Sequence, residues 1–364
     1  MAKRLAGIII LLLLMATLGA GCTGQPSAGA PGEDRETIKV VDSFGREVSV
    51  PADVERIAAL YSFAGYAVSL LGRGGDLVAV PGGLQRDNLL VEMIPPIAGA
   101  AVPRTSGKIN IEELMRVKPD VAIIRGDTAA DAKEIDKLNT SGIPYLIVEF
   151  STMAEQQEAI RIIGRAIGRA AEAAAYNEYY NGVLRLVEDA VTEIPPLEKA
   201  RVYHSENQAT RTIHKDSLAA DWSKAAGIIN VSIEEDLNLI ENDYYCSLEQ
   251  VLLWDPEVII ANENAAVAYI RGNPQWSGIK AVRNNRVYQL PLGISRWGHP
   301  GSIETPLAVL WTAKTVYPGL LPDVDMKEEV KAYYRRFFAY ELSDATAEQI
   351  LSGEGMREPK HGGD

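Results

Sequence analysis

Cysteine is nearly missing from this sequence: Cys22 and Cys246 are the only two, too few for a disulfide framework or a cysteine-lined metal cluster. Cys246 reads as a small buried apolar residue, with a minor ligand-contact role left open. The four histidines, His204, His214, His299 and His361, share no helical spacing and have no identifiable partner carboxylate, so a bare zinc or manganese site is not expected. Positive charge is also short. The chain carries 36 Lys and Arg against 49 Asp and Glu, a formal charge of −13, which lacks the basic face that nucleic acid requires. Gly-x-Ser-x-Gly, His-Glu-x-x-His and Gly-Lys-Ser/Thr phosphate-loop motifs are absent, leaving an enzyme without support. The uncharged apolar run Leu5 to Met15 is too short for a comfortable membrane span.

That run is preceded by Lys3 and Arg4 and followed by small residues up to Cys22, the pattern of a secretory signal over 1–21. Thr17-Leu18-Gly19-Ala20-Gly21-Cys22 resembles a bacterial lipobox. This implies lipidation of Cys22 and an extracytoplasmic, membrane-anchored protein, although Gly19 stands where the pattern prefers leucine; plain secretion is the alternative. Loss of Lys3 and Arg4 makes the mature charge about −15. Residues 22–36, rich in Gly, Pro, Ser and Ala, read as a flexible tether, and the fold is expected to start near Thr37.

A short pattern is written twice. Asn110-Ile-Glu-Glu-Leu-Met-Arg-Val-Lys-Pro-Asp-Val-Ala-Ile-Ile124 returns as Ser247-Leu-Glu-Gln-Val-Leu-Leu-Trp-Asp-Pro-Glu-Val-Ile-Ile260, and 137 positions separate Glu112 from Glu249 and Pro119 from Pro256. Each copy predicts a short amphipathic helix, ended by the restriction on the residue before proline, then a buried strand. Ile111, Leu114 and Met115 are expected on one apolar face, with Leu248, Val251 and Leu252 in the second copy. Glu112 and Glu249 lie off that face, toward water.

The remaining chain alternates strands and helices, which predicts an α/β fold of two lobes with mostly parallel sheets. A hairpin is expected over 38–51. No proline interrupts Met153 to about Thr192, where apolar residues recur at helical spacing; one helix of roughly 35 residues would extend about 50 Å and bridge the lobes. The expected limits are 37–152 for the first lobe, 153–193 for the bridge, and 194–364 for the second lobe with closing helices and a loose tail.

With these features the mature chain resembles the substrate-binding lipoproteins of ABC importers whose two Rossmann-like lobes are joined by a single long helix. That family includes binders of iron-siderophores, haem and cobalamin, with a molybdate/tungstate branch. Asp42-Ser-Phe-Gly-Arg-Glu-Val48, the Asn110 to Ile124 segment, Trp297-Gly-His-Pro-Gly-Ser-Ile-Glu-Thr-Pro306 and Leu310-Trp-Thr-Ala-Lys-Thr-Val-Tyr-Pro318 carry the resemblance. It implies a monomeric, non-enzymatic receptor without a cofactor, which hands a metal chelate, or alternatively an oxyanion, to a permease and its ATPase. A sensor presenting its loaded form to a signalling partner is a further alternative. It also implies permease docking through Glu112, or Glu113 in its place, and Glu249.

The ligand site is expected between the lobes, beyond the carboxyl ends of the strands. Candidates there are Tyr61, Gln85, Arg86 and Arg125 from the first lobe. From the second come Tyr203, His204, Tyr244, Tyr245, Asn262, Glu263, Arg296, Trp297 and His299. Arginines suit anionic ligands and aromatic rings suit apolar rims; the plainer roles are interlobe salt bridges and coverage of the core edge. Arg125, Arg296, Trp297 and His299 are preferred. A bridge of continuous helix, without crossover strands as hinges, predicts small closure on binding.

Overall fold

The structure, a computed structural model, describes residues 35–354 and Met356. The expected signal 1–21, Cys22 and the tether as far as Asp34 lie outside the described residues, as does His361. Thr37–Val41 and Glu47–Pro51 form the expected antiparallel hairpin. The buried Asp42 carboxylate closes its turn, accepting from Phe44 N and from the Arg46 backbone and guanidinium. It also accepts from Ile147 N, which ties the hairpin to the first sheet.

Two sheets follow. The first has the strand order Leu77–Ala79, Ile57–Ala59, Val121–Arg125, Tyr145–Val148, all parallel. The second places Arg201–Ser205 between the parallel strands Ile229–Asn230 and Val258–Ala261, with Val287–Gln289 outside the latter. An antiparallel arm, Arg211–Thr212, Asp243–Tyr245 and Asn238–Ile240, extends this sheet. Its strands are two or three residues long, too short to show alternation in sequence.

Alternation along each longer strand divides its side chains between two layers. Val121 and Ile123 enter a core shared by both lobes, while Ala122 and Ile124 enter an outer core of the first lobe. Val258 and Ile260 enter the same shared core, and Ile259 and Ala261 an outer core of the second. The duplicated segment therefore has one orientation in both lobes. Its helices, Ile111–Arg116 and Leu248–Trp254, bury Leu114 and Val251 against the outer layers.

The matched positions extend to the caps. Asn110 and Ser247 accept the backbone N–H of Glu113 and Gln250, and Lys118 and Asp255 both take positive φ before their prolines. Arg56, just before Ile57–Ala59, and Arg201, which opens Arg201–Ser205, donate to Val117 O and Trp254 O at the helix ends. Glu112 and Glu249 are exposed. Met115 and Leu252, expected in the apolar face, are instead 50% and 41% exposed, because so short a helix seats only a narrow stripe on its sheet.

The single 35-residue helix is also corrected. The segment forms two helices, Met153–Ala166 and Ala170–Val191, broken at Gly168, whose φ is +69°. They fold back on each other as an antiparallel pair, with Gln157 Nε2 donating to Asn181 Oδ1 and Asn177 Nδ2 to Gln157 O. The sequence shows no break because Ala-rich helical spacing continues through both, and glycine costs a helix only about 1 kcal/mol. The 22-residue Ala170–Val191 helix leads into the second lobe. The closing helices Thr305–Val316 and Met326–Phe338 pack back across the molecule. The latter lies against Ser69–Arg73 of the first lobe, and its Tyr333 and Tyr334 enter the shared core. A further helix, Asp344–Ser352, was not expected. The Gly168 turn makes a direct prediction: Gly168→Val, a branched residue in left-handed backbone, should cost about 1–2 kcal/mol in denaturant unfolding, and Gly168→Asn less.

Candidate functional site

At the carboxyl edge of the first sheet, three neighbouring strands deliver Tyr61, Arg125 and Glu149. Opposite them stands the second-lobe loop 293–302. The two sides meet around a cavity of about 150 Å³ lined by Tyr61, Ser62, Arg125, Arg296, His299 and Gly301, among others. Tyr61 spans it, donating its hydroxyl to Pro300 O at 3.1 Å. Burial pushes the Tyr61 phenol well above its ordinary range, so the hydroxyl keeps its proton and serves as a donor.

The Arg125 guanidinium lies 5.5 Å from the Tyr61 ring centroid and directs Nε toward Glu149 at 3.5 Å. Glu149 also accepts Gly126 N–H at 2.9 Å. Arg296 contacts Glu263 at 2.5 Å and donates to Asn207 Oδ1 at 3.2 Å. His299 Nδ1 accepts Gly301 N–H at 3.1 Å. That contact places the proton of the neutral ring on Nε2, making the ring a donor. Two guanidiniums, a phenol and an imidazole thus surround one small volume, a donor-rich setting for anionic oxygen.

The loop is held from behind by Glu304. Its buried carboxylate accepts Ser295 N at 2.9 Å, Ser295 Oγ at 2.7 Å and the Tyr334 hydroxyl at 2.8 Å. Gly293 is required there, since a Cβ would fall 2.0 Å from Glu304 Oε1. Trp222 Nε1 donates to Gly298 O, Gln156 Nε2 to Ser302 O, and the hydroxyls of Tyr176 and Tyr333 to Ile303 O. Burial raises the Glu304 carboxyl from its ordinary 4.5 to about 6, against the pull of its Ser295 and Tyr334 donors.

Tyr61, Arg125, Arg296 and His299 are brought together around this cavity. Trp297 is not available to a ligand: it is fully buried in the shared core. Tyr203 is likewise a core residue, because alternation turns it into the outer layer between Trp254 and Trp276, its hydroxyl bonded to Ala209 O and Cys246 Sγ. Cys246 is buried there too. His204 faces the shared core, bonded to Asn262 and packed on Trp222, and burial lowers it to about 4, so it is neutral. Tyr244 sits on the antiparallel arm, stacks on His214 at 4.2 Å and lines a separate cavity of about 230 Å³. Tyr245 is on the same arm. Arg86 ends the short Gly82–Gln85 helix away from the cavity lining, and Gln85 binds the carbonyls of Ile97 and Ala100. Sequence reading overlooked Glu149 and Glu304. A glutamate beyond the end of a buried strand, and one within the Trp297 to Pro306 motif, were the available signals.

Since the folded Glu304 holds its proton to higher pH than the unfolded carboxyl, the parent loses stability relative to Glu304→Gln as pH rises from about 4.5 to about 6. The difference should reach about 2 kcal/mol, read from paired melting curves between pH 4 and 7. An opposite slope would mean the carboxylate is the favoured form.

A family model described as periplasmic binding protein matches residues 92–292. The molybdate-binding protein MolA of Haemophilus influenzae is 22% identical over 323 residues, covering 82% of this chain and 90% of its own. The Fe(3+)-citrate-binding protein YfmC of Bacillus subtilis is 24% identical over 304 residues, 79% of this chain and 89% of its own. Among solved structures, a periplasmic solute binding protein from Veillonella parvula superposes with a TM-score of 0.76 at 25% identity, covering 87% of this chain and 97% of its own. MolA bound to molybdate superposes at 0.74 with 21% identity, 84% of this chain and 99% of its own.

Proposed function

The chain belongs to the periplasmic binding protein family, extracytoplasmic substrate-binding proteins of ABC transporters rather than enzymes, and on that premise we propose that it captures a small, multiply charged oxyanion of the molybdate class. The observation that carries this reading is the pair of guanidiniums, Arg125 and Arg296, facing one cavity of about 150 Å³ from opposite lobes. Ligand pockets for drug-sized molecules run to roughly 300–1,000 Å³, so haem or an intact ferric siderophore would demand a much wider cleft. A four-oxygen anion matches both the volume and the donors. A compact ferric chelate of the citrate type is the second reading, favoured by the similarity to the ferric-citrate binder.

Delivery follows from the duplicated segment. Glu112 and Glu249, exposed on the outer helix of each lobe, are the docking carboxylates for basic pockets of the permease, and the helix-end contacts of Arg56 and Arg201 hold those helices in place. The lobes take the limits 37–152 and 194–364, with Cys22 as the lipid anchor. The core shared between lobes and the return of the closing helices support a small closure on binding.

Calorimetric titration should show molybdate or tungstate binding. Arg125→Ala and Arg296→Ala should each weaken it about 10- to 100-fold, the worth of one charge-assisted hydrogen bond. Binding of haem or a ferric siderophore without any oxyanion would overturn the reading. In an uptake assay, Glu112→Ala and Glu249→Ala should reduce transport with ligand affinity unchanged; lost affinity would place those residues in the site instead.

A further inference from the structure

We propose that Glu149 and Glu263 are built-in counter-ions of the cleft, setting how strongly it holds a dianion and how strongly it prefers a dianion to a monoanion. The inference rests on the oxyanion reading and deepens it. Each cleft arginine is matched by one glutamate delivered from beyond the end of the adjacent parallel strand. Arg125 ends Val121–Arg125 and Glu149 follows Tyr145–Val148, with Arg125 and Val148 in register. Glu263 follows Val258–Ala261 and Arg296 lies beyond Val287–Gln289, with Ala261 and Gln289 in register. The two pairs arise in opposite chain order, so the resemblance lies in the arrangement and not in the duplicated segment.

Glu149 also accepts Gly126 N–H at the start of the Gly126–Ala129 helix, whereas Glu263 meets Arg296 in place of a helix cap. Glu263 stands at the N-cap position of the Asn264–Gly272 helix yet makes no side-chain cap bond, because its carboxylate is turned to Arg296. Glu149 approaches so closely that a Cβ on Gly126 would lie 2.5 Å from its Oε2. Arg125 meets it through Nε, and its terminal nitrogens make no hydrogen bond among the described residues. An oxyanion can therefore bind Arg125 while Glu149 keeps its place.

The consequence is electrostatic. An unpaired guanidinium in a half-buried cleft pays for lost hydration, so a resident carboxylate stabilises the empty state and competes with the arriving anion. With the ligand absent, each arginine keeps its own glutamate as partner. The side chains are 39% and 32% exposed in the first pair and 31% and 35% in the second, so solvent screens the effect to a moderate size. A dianion feels each resident charge twice as strongly as a monoanion of the same shape.

The test titrates the full chain, Glu149→Gln and Glu263→Gln with molybdate and with perrhenate, tetrahedral oxyanions of charge −2 and −1. Each variant should bind molybdate about tenfold more tightly, with a smaller gain for perrhenate, so that the ratio between the two anions rises. Binding by a variant where the parent shows none would support the same role. If the parent binds molybdate and both variants weaken or leave both anions equally affected, the glutamates only position the arginines and the counter-ion role is overturned, with the oxyanion reading intact. If neither parent nor variants bind either anion, the oxyanion reading falls and the counter-ion role falls with it. The two variants lie in different lobes, so a folding defect in one leaves the other as the test.

Discussion

The Glu304 carboxylate, sealed inside the molecule and grasped by Ser295 and Tyr334, is the constraint on which the site depends. The loop in front of it carries Arg296 and His299, has no regular secondary structure of its own, and faces the other lobe. A loop of that kind would ordinarily sample many conformations. Here its carbonyls are also taken up by Trp222, Gln156, Tyr176 and Tyr333, from the bridging pair, the second lobe and a closing helix. Cleft geometry is thereby fixed by the shared core.

That core also explains why the two lobes differ from a pair of beads on a string. The duplicated helix-to-strand unit turns the same face inward in each lobe, so Val121 and Ile123 meet the same interior as Val258 and Ile260. Its helices are carried on the outside, where Glu112 and Glu249 face water. One repeated sequence thus sorts the molecule into an inner layer packed in the shared core and an outer layer carrying two exposed carboxylates.

Much of this was legible in the sequence because it rests on local rules. The period-two strands, the proline-terminated helices and the arginine placed directly after Ile124 all appear where alternation and chain punctuation put them. What escaped depended on tertiary packing. The turn at Gly168 was hidden by uninterrupted helical spacing on both sides. Met115 and Leu252 were assigned to a buried stripe that their short helices are too small to fill. Tyr203 and Trp297 were chosen as aromatic residues near strand ends, but the first is turned outward by alternation and the second inward by the Glu304-pinned loop. Glu149 acquires meaning only when adjacent strand ends are brought side by side, which also turns Glu263, a candidate from its place after a strand, into the partner of Arg296.

The central claim is that Arg125 and Arg296 enclose one oxyanion between the lobes. Anomalous diffraction from crystals grown with tungstate tests it most directly. The account predicts a single strong tungsten peak with its oxygens within hydrogen-bond distance of both guanidiniums and of the Tyr61 hydroxyl. A peak in the separate cavity beside His214 and Tyr244, or none at all, would contradict it.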